Sequence, residues 1–217
     1  MFFFLNIYSS WKTYLTNRKN FNELVFTFFI SICTAYAFRK YLVFVENWDH
    51  NLGVFNDPFF LSNPIDFSIP IFLMTYGSMF FFFFYNANKP SVIIKLFQVV
   101  VILLFLRAIT LYFFRFDSDP NMIILKDPFL NTFIYQLNEN TGLYNQHDLF
   151  FSGHTANLFL VSILYSEKRF KYFFLLITFL IATFLVLQRA HYSIDVLFAP
   201  LFSLIALFVQ KKIKSYQ

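Results

Sequence analysis

The stretch Asp148-Leu-Phe-Phe-Ser-Gly-His-Thr155 places a histidine at the start of a long apolar run. A second stretch, His191-Tyr-Ser-Ile-Asp195, opens another apolar run and spaces its histidine and aspartate four residues apart. On a helix, that spacing puts both side chains on one face, where they can form a hydrogen bond. Each stretch therefore marks the start of a hydrophobic helix that carries ionisable groups at its beginning.

The composition around these stretches indicates a membrane protein. The 217 residues are 58% hydrophobic and 24% aromatic but only 13% charged, and this surface is too apolar to be hidden in a water-soluble fold. The chain has 37 phenylalanines and only four glycines, and its apolar residues form unbroken runs. A membrane barrel would instead show a weak alternation of apolar and polar residues. We therefore predict an all-α, polytopic integral membrane protein.

The apolar runs set the predicted elements. Residues 1–20 predict an interfacial amphipathic helix, because apolar side chains recur at helical spacing at Phe4, Tyr8, Trp11 and Leu15. Residues 21–217 then form one membrane domain with its core at 105–200. Its six predicted transmembrane helices, each near the length that a bilayer requires, are 22–45, 67–85, 91–114, 149–166, 171–188 and 190–209.

The basic residues predict the orientation of these helices. The net charge is +5, but the cations lie at the ends of apolar runs and therefore indicate topology; no nucleic-acid partner is expected. Alternate connections carry eleven of the 17 Lys and Arg, so that face and both termini are predicted to be cytoplasmic. The remaining six accompany the loops 46–66 and 115–148, which we predict to be exoplasmic and ordered by turns. The eleven are Lys12, Arg18, Lys19, Lys89, Lys95, Lys168, Arg169, Lys171, Lys211, Lys212 and Lys214; the six are Arg39, Lys40, Arg107, Arg115, Lys126 and Arg189.

Ionisable residues of three predicted helices lie at a common depth, in the outer half of the membrane. With a rise of 1.5 Å per residue, Arg107 lies about 18 Å above Lys95, and His154 about 21 Å above Lys168. Asp195 and His191 lie about 24 Å and about 30 Å above Lys211, in the outer half of a core roughly 30 Å thick. Taken singly, Arg107 could extend to the headgroups and His154 could lie at the membrane interface. His191 and Asp195 could merely form a hydrogen bond with each other. Together they favour a functional site.

The residue types indicate phosphoryl or phosphodiester transfer on the exoplasmic side. His191 would attack phosphorus while Asp195 fixes its tautomer, and His154 would protonate the departing lipid oxygen. Ser152 and Gly153, at a predicted helix N-terminus, would bind an anion through the backbone N–H groups. Arg107 would form a bidentate contact with the phosphate oxygens. A metal site is the alternative, but two histidines and one aspartate without acidic companions are a poor ligand set. A transporter is a third possibility, although the spans lack Gly or Pro breaks and repeated halves.

At these residues the sequence resembles the sphingomyelin synthase family, a membrane branch of the type 2 phosphatidic acid phosphatase superfamily. Asp148-x3-Ser152-Gly-His-Thr155 is similar to the third motif of the family, and His191-Tyr-Ser-Ile-Asp-Val196 is similar to its fourth. Arg107-Ala-Ile-Thr110, followed by Tyr112, is similar to half of its second motif. The family has Cys-Gly where this chain has Gln146-His147.

The resemblance implies six spans and a catalytic triad of His154, His191 and Asp195. We add Asp148 and Tyr192, which stand in the matching motifs, to the phosphate-binding set of Arg107, Ser152 and Gly153. The implied reaction moves a phosphocholine- or phosphoethanolamine-type headgroup from a phospholipid to a lipid alcohol such as ceramide or diacylglycerol. The expected partners are these lipids and the bilayer, with no cofactor or metal. The alternative is a lipid phosphatase or phospholipase C-like hydrolase that uses the same residues with water as the acceptor.

Overall fold

The computed structural model describes residues 2–48, 52–61, 63–114, 116–125, 127 and 147–215. The predicted basic residues Arg115 and Lys126 and most of the predicted loop 115–148 lie outside this part. All the helices within it are α-helices that follow one another along the chain. They are α1 Phe2–Thr16, α2 Arg18–Glu46, α3 Ser68–Tyr85, α4 Pro90–Phe113, α5 Gly153–Leu164, α6 Lys168–Leu187 and α7 Ser193–Ser215.

Five of these helices, α2, α3, α4, α6 and α7, are long and apolar enough to cross a membrane. They carry most of the exposed large apolar side chains, among them Phe28, Phe80, Phe105, Phe179 and Leu197. Exposed apolar rings on this scale are costly in water and suit contact with lipid tails. The described residues confirm the all-α prediction, and their five long apolar helices are consistent with a polytopic membrane protein.

The predicted span 149–166 is shorter in the structure than in the sequence analysis. Helix α5 has 12 residues, which at 1.5 Å per residue extend about 18 Å, less than a bilayer core of about 30 Å. Residues 149–152 are not helical, because Ser152 takes an extended backbone and caps α5. Helix α5 packs against α3, α4, α6 and α7 and buries most of its side chains. It is thus a central helix, and the count of six spans stays a prediction.

The last predicted span, 190–209, begins later in the structure. Helix α7 starts at Ser193 and continues to Ser215, so His191 precedes the helix. The expectation that His191 and Asp195 share a helical face is therefore wrong, although the two side chains still meet. The cause is a capping arrangement, in which Oδ2 of Asp195 accepts a hydrogen bond from the backbone N–H of Tyr192 at 2.9 Å.

The two ends of the bundle differ in chemistry. We call the end with Arg107, Gly153 and His191 the histidine end, and the end with Lys211 and Lys214 the lysine end. At the lysine end α1 docks through Trp11, whose indole N–H donates to the carbonyl of Ala87 at 2.8 Å. The two described loop segments, 52–61 and 116–125, lie at the histidine end and are joined by a short parallel bridge. They contain turns at residues 52, 58–59 and 120–121 and no helix.

Candidate functional site at the histidine end

Arg107 is held in the interior by the segment that leads into α5. Its Nη2 lies 2.8 Å from Oδ1 of Asp148 and donates to the Asp148 carbonyl at 3.3 Å. One turn later on α4, the Thr110 hydroxyl donates to the carbonyl of Phe150 at 3.1 Å. Helix α4 therefore fixes both the position of this segment and the direction of the guanidinium.

Gly153 brings the guanidinium against the N-terminus of α5. A Cβ atom built on Gly153 would lie 1.7 Å from Nη1 of Arg107 and 2.9 Å from its Cζ. Such contacts are impossible for a side chain, so glycine at this position allows the cation to lie on the backbone. The Nε of Arg107 has no hydrogen-bond partner within the described residues. The first N–H groups of a helix and a guanidinium converge here, and both attract anions.

Ser152 is the residue that begins α5. Its Oγ accepts from the N–H of Thr155 at 3.4 Å and from the Thr155 hydroxyl at 3.2 Å. Its own N–H donates to the backbone carbonyl of Asp195 at 3.1 Å, which connects the two sequence motifs. Ser152 therefore links the N-terminus of α5 to the first turn of α7.

His191 and Asp195 form a buried pair. Nδ1 of His191 lies 3.4 Å from Oδ2 of Asp195, which is long for a hydrogen bond, as is common before a substrate binds. Asp195 is fully buried, and its Oδ1 has no hydrogen-bond partner in the described part of the chain. With Nδ1 turned toward the carboxylate, Nε2 of His191 is the ring nitrogen that is left for chemistry.

His154 joins the same group from the first turn of α5. It lies within electrostatic range of His191 and Arg107, and Phe72 of α3 meets its ring edge-on with centroids 5.6 Å apart. The structure thus brings together His154, His191, Asp195 and Arg107 at one end of the bundle. Among the described residues, no group of three or more His, Cys, Asp or Glu is arranged to hold a metal ion.

Asp148 and Tyr192, which we predicted to bind phosphate, each contact neighbouring groups of the protein. Asp148 is paired with Arg107, and a carboxylate repels phosphate, so its contact with a phosphate would be indirect. Tyr192 donates its hydroxyl to the carbonyl of Asp117 at 2.7 Å and accepts from the N–H of Phe55 at 3.3 Å. Its ring stacks on Phe60 with centroids 5.5 Å apart. Tyr192, which directly follows His191, therefore contacts both loop segments.

Several positioning residues were missed in the sequence. The buried carboxylate of Asp57 accepts from the N–H of Ser193, the first residue of α7, and from the N–H of Phe59 at 2.9 Å. Gln188 is fully buried and donates to the Ser68 hydroxyl at 2.9 Å. The only signal for Asp57 was its place in an Asn-Asp-Pro turn, and Gln188 gave none within its apolar run.

His147 and Arg189 fasten the surrounding segments. His147 bonds to Glu46 at the end of α2 through its backbone N–H at 2.9 Å and its Nδ1 at 3.0 Å. Arg189, whose backbone has a positive φ of 58°, pairs with Asp119 at 2.9 Å. These ties join α2 and the segment 116–125 to the residues beside Asp148 and His191.

Comparison with known proteins found one family match, in the C-terminal part of the chain. Residues 147–212 match the family described as PAP2 superfamily C-terminal, and the match contains every predicted site residue except Arg107. Searches of curated proteins and of solved structures gave no significant match. The matched segment supports the PAP2 superfamily, and with it a membrane lipid enzyme of the phosphatase or phosphotransferase type.

Proposed function

We propose that this chain is a sphingomyelin synthase-like phosphotransferase. It moves a phosphorylated headgroup of the phosphocholine or phosphoethanolamine type from a phospholipid to a lipid alcohol such as ceramide or diacylglycerol. The contact that carries the proposal is that of Arg107 with Gly153, because it combines a cation with the open N-terminus of α5 beside two histidines. This arrangement suits a phosphate group flanked by a nucleophile and a proton donor.

The reaction would have two steps. In the first, the Nε2 lone pair of His191 forms a bond to phosphorus, the bond from phosphorus to the lipid oxygen breaks, and that oxygen takes the proton of His154. Asp195 stabilises the imidazolium that develops on His191. In the second, His154 takes the proton of the acceptor hydroxyl, whose oxygen attacks phosphorus and releases His191. Arg107 and the backbone N–H groups of α5 would stabilise the charge on the phosphate oxygens in both steps.

The charge of the site favours a phosphodiester as the substrate. Arg107 meets the helix N-terminus, but Asp148 already pairs with it at 2.8 Å and neutralises part of its charge. A phosphodiester carries one negative charge, whereas a phosphomonoester near neutral pH carries about 1.5 to 2. A cation that is partly neutralised suits the less charged group. This supports cleavage of a phosphodiester lipid such as phosphatidylcholine over cleavage of phosphatidate, which is a phosphomonoester.

An apolar cavity beside the site supports a lipid substrate. It has a volume of about 530 Å³ and lies between α5, α6 and α7. Thr155 and Ser193, each next to a residue of the proposed site, lie on its wall, and Phe159, Phe179 and Leu197 make the wall apolar. An acyl chain could lie in this cavity with its phosphate close to His154.

The second candidate is a hydrolase that uses the same residues with water as the acceptor. The observation in its favour is the PAP2 match, because that superfamily includes phosphatases and the match covers the residues that both reactions would use. The acceptor depends on how completely the site excludes water in favour of lipid. Both candidates place the same bond cleavage at His191.

A product assay separates the two candidates. Purified protein in vesicles receives phosphatidylcholine or phosphatidylethanolamine with a labelled headgroup, with or without ceramide or diacylglycerol. We expect the label to move to the added lipid alcohol and His191→Ala to abolish the transfer. Release of the label only as a water-soluble phosphate ester, whether or not an acceptor is present, would favour the hydrolase. Full activity of His191→Ala would refute both.

We further propose that the histidine end faces the exoplasmic side and that both termini are cytoplasmic. The support is the charge distribution, because Lys211, Lys212 and Lys214 end α7 while Lys168, Arg169 and Lys171 begin α6. Helices that run antiparallel between these basic clusters bring them to the same face. The excess of basic residues on one face is typical of the cytoplasmic side.

A further inference from the structure

Two aromatic rings of α3 extend from His154 toward the surface. Phe72 meets the ring of His154 edge-on, with centroids 5.6 Å apart. Tyr76, one turn further along α3, stacks on Phe72 with centroids 5.9 Å apart. Phe72 is buried, but 38% of Tyr76 is exposed, so the outer ring of this row is accessible. The row therefore leads from the proposed reaction centre to a ring that is partly exposed.

A carboxylate lies at the outer end of this row. The hydroxyl of Tyr76 donates a hydrogen bond to Oδ2 of Asp127. Asp127 also lies within electrostatic range of His154, so its charge acts on the reaction centre itself. The proposed transfer gives no role to Asp127, Tyr76 or Phe72.

This combination of groups matches one ligand chemistry. Aromatic faces attract ammonium groups through the ring quadrupole, and a carboxylate adds a direct charge attraction. In the proposed substrates, only a short carbon chain separates the ammonium from the phosphorus. A phosphate held between Arg107 and His191 would thus bring the ammonium within reach of groups that adjoin His154. A neutral or anionic headgroup would gain nothing from the carboxylate.

We propose that Asp127 and Tyr76, with Phe72 stacked on Tyr76, bind the ammonium group of the phospholipid headgroup. They would select cationic headgroups over neutral ones. This proposal rests on the proposed function, because it assumes that the substrate is a phosphodiester lipid. Asp127 supplies the charge, and Tyr76 supplies both an aromatic face and the hydroxyl that orients the carboxylate. These residues determine specificity and take no part in bond cleavage.

The test compares headgroups on the same protein. Cleavage of phosphatidylcholine and of phosphatidylglycerol, whose headgroup is uncharged beyond the phosphate, is measured in mixed vesicles for the wild type, Asp127→Asn and Tyr76→Phe. The matched control is Asp66→Asn, a carboxylate that binds the N–H of Ser68 at the start of α3. We expect the wild type to prefer phosphatidylcholine and Asp127→Asn to reduce that preference by about tenfold, the loss typical of one charge-assisted contact.

The outcomes separate this proposal from the proposed function. Tyr76→Phe should reduce the preference less than Asp127→Asn, because the ring remains, and Asp66→Asn should leave it unchanged. An equal loss of both activities in Asp127→Asn, or an unchanged preference, would overturn the ammonium site while the phosphodiester reaction stands. Cleavage of phosphatidic acid alone by the wild type would instead refute the proposed function.

Discussion

At the scale of single residues, Gly153 is the position where the smallest change has the largest predicted effect. Its missing Cβ makes room for the guanidinium of Arg107, which a methyl group would contact at 1.7 Å. Because the atoms that the methyl group would meet are the far end of a long side chain, Gly153→Ala should move the cation and leave the fold intact. We expect activity to fall by about a hundredfold, as it does when a catalytic group is misplaced by about 1 Å.

The matched control for this change is Gly77→Ala. Gly77 lies in α3 and has no atom within 4 Å of a built Cβ, so alanine there meets open space. Both variants are compared by initial rates of headgroup transfer and by their melting temperatures in detergent. Equal activity of the two variants would mean that the position of Arg107 on the α5 N-terminus does not matter.

Arg107 itself gives a second prediction at this scale. Arg107→Lys should reduce transfer by about a hundredfold, the typical loss when one donor to the transition state is removed. A point charge cannot reproduce the planar, two-pronged contact with phosphate or the contact with Asp148. Arg39→Lys, on the exposed surface of α2, should be nearly silent, because a cation at a membrane surface needs only charge and length. Initial rates measure both, and similar tolerance at the two positions would reduce Arg107 to an interfacial anchor.

At the scale of elements, the start of α7 decides where His191 lies. Asp57 accepts from the N–H of Ser193 and so caps α7 from a distant loop. Asp57→Ala should cost about 1 kcal/mol of unfolding free energy, the usual loss for a removed helix cap, and should also lower transfer by loosening His191. Thermal unfolding and initial rates in detergent test both effects.

The control for this prediction is Asp66→Ala, which removes the equivalent bond at the start of α3, at 2.9 Å from the N–H of Ser68. Asp66 accepts this bond at the start of a helix that carries none of the four clustered groups, so its loss should lower stability but affect transfer less than the loss of Asp57. A parallel loss of activity in both variants would show that Asp57 acts only through global stability.

The sequence predicted most of these elements because apolar runs define membrane helices directly. The ends of α3 and α4 lie within about one residue of the predicted spans 67–85 and 91–114. Helix α5 was predicted too long, since Leu149, Phe150 and Phe151 are as apolar as a span but pack in the interior beside Ser152. Apolar composition cannot distinguish a side chain that faces lipid from one that faces the bundle.

The sequence singled out the residues that the structure brings together, but it did not predict their arrangement. His154, His191, Asp195 and Arg107 stood out because charged groups are rare in spans. Their arrangement depends on contacts between distant segments, such as the bond from Ser152 to the carbonyl of Asp195. Local periodicity contains no information on such contacts, and for the same reason the bonds of Asp57 and Gln188 were missed.

At the scale of the whole molecule, the orientation in the membrane gives a testable prediction. In a Cys33→Ser background, which removes the single native cysteine, Asn121→Cys should react with an impermeant thiol reagent in intact cells or spheroplasts. Asn121 is exposed in the segment 116–125 at the histidine end. Lys212→Cys should react only after permeabilisation. The reverse labelling pattern would place the proposed site on the cytoplasmic side.

The central claim for the whole molecule is that the headgroup is carried on His191 between two lipids. His154 matters as an acid only when the departing oxygen is a poor leaving group, so His154→Ala should still cleave an activated p-nitrophenyl ester of phosphocholine. The return step needs His154 as a base and should stall in this variant. The headgroup should therefore accumulate on the protein.

The most direct measurement is mass spectrometry of His154→Ala protein after mixing with this ester in detergent and quenching in base. We predict phosphocholine on the peptide that contains His191, together with a burst of nitrophenolate close to one per protein. His191→Ala should show neither. A burst without a protein-bound headgroup, a headgroup on a different residue, or a burst from His191→Ala would contradict the account and would indicate direct attack on phosphorus by the acceptor or another nucleophile.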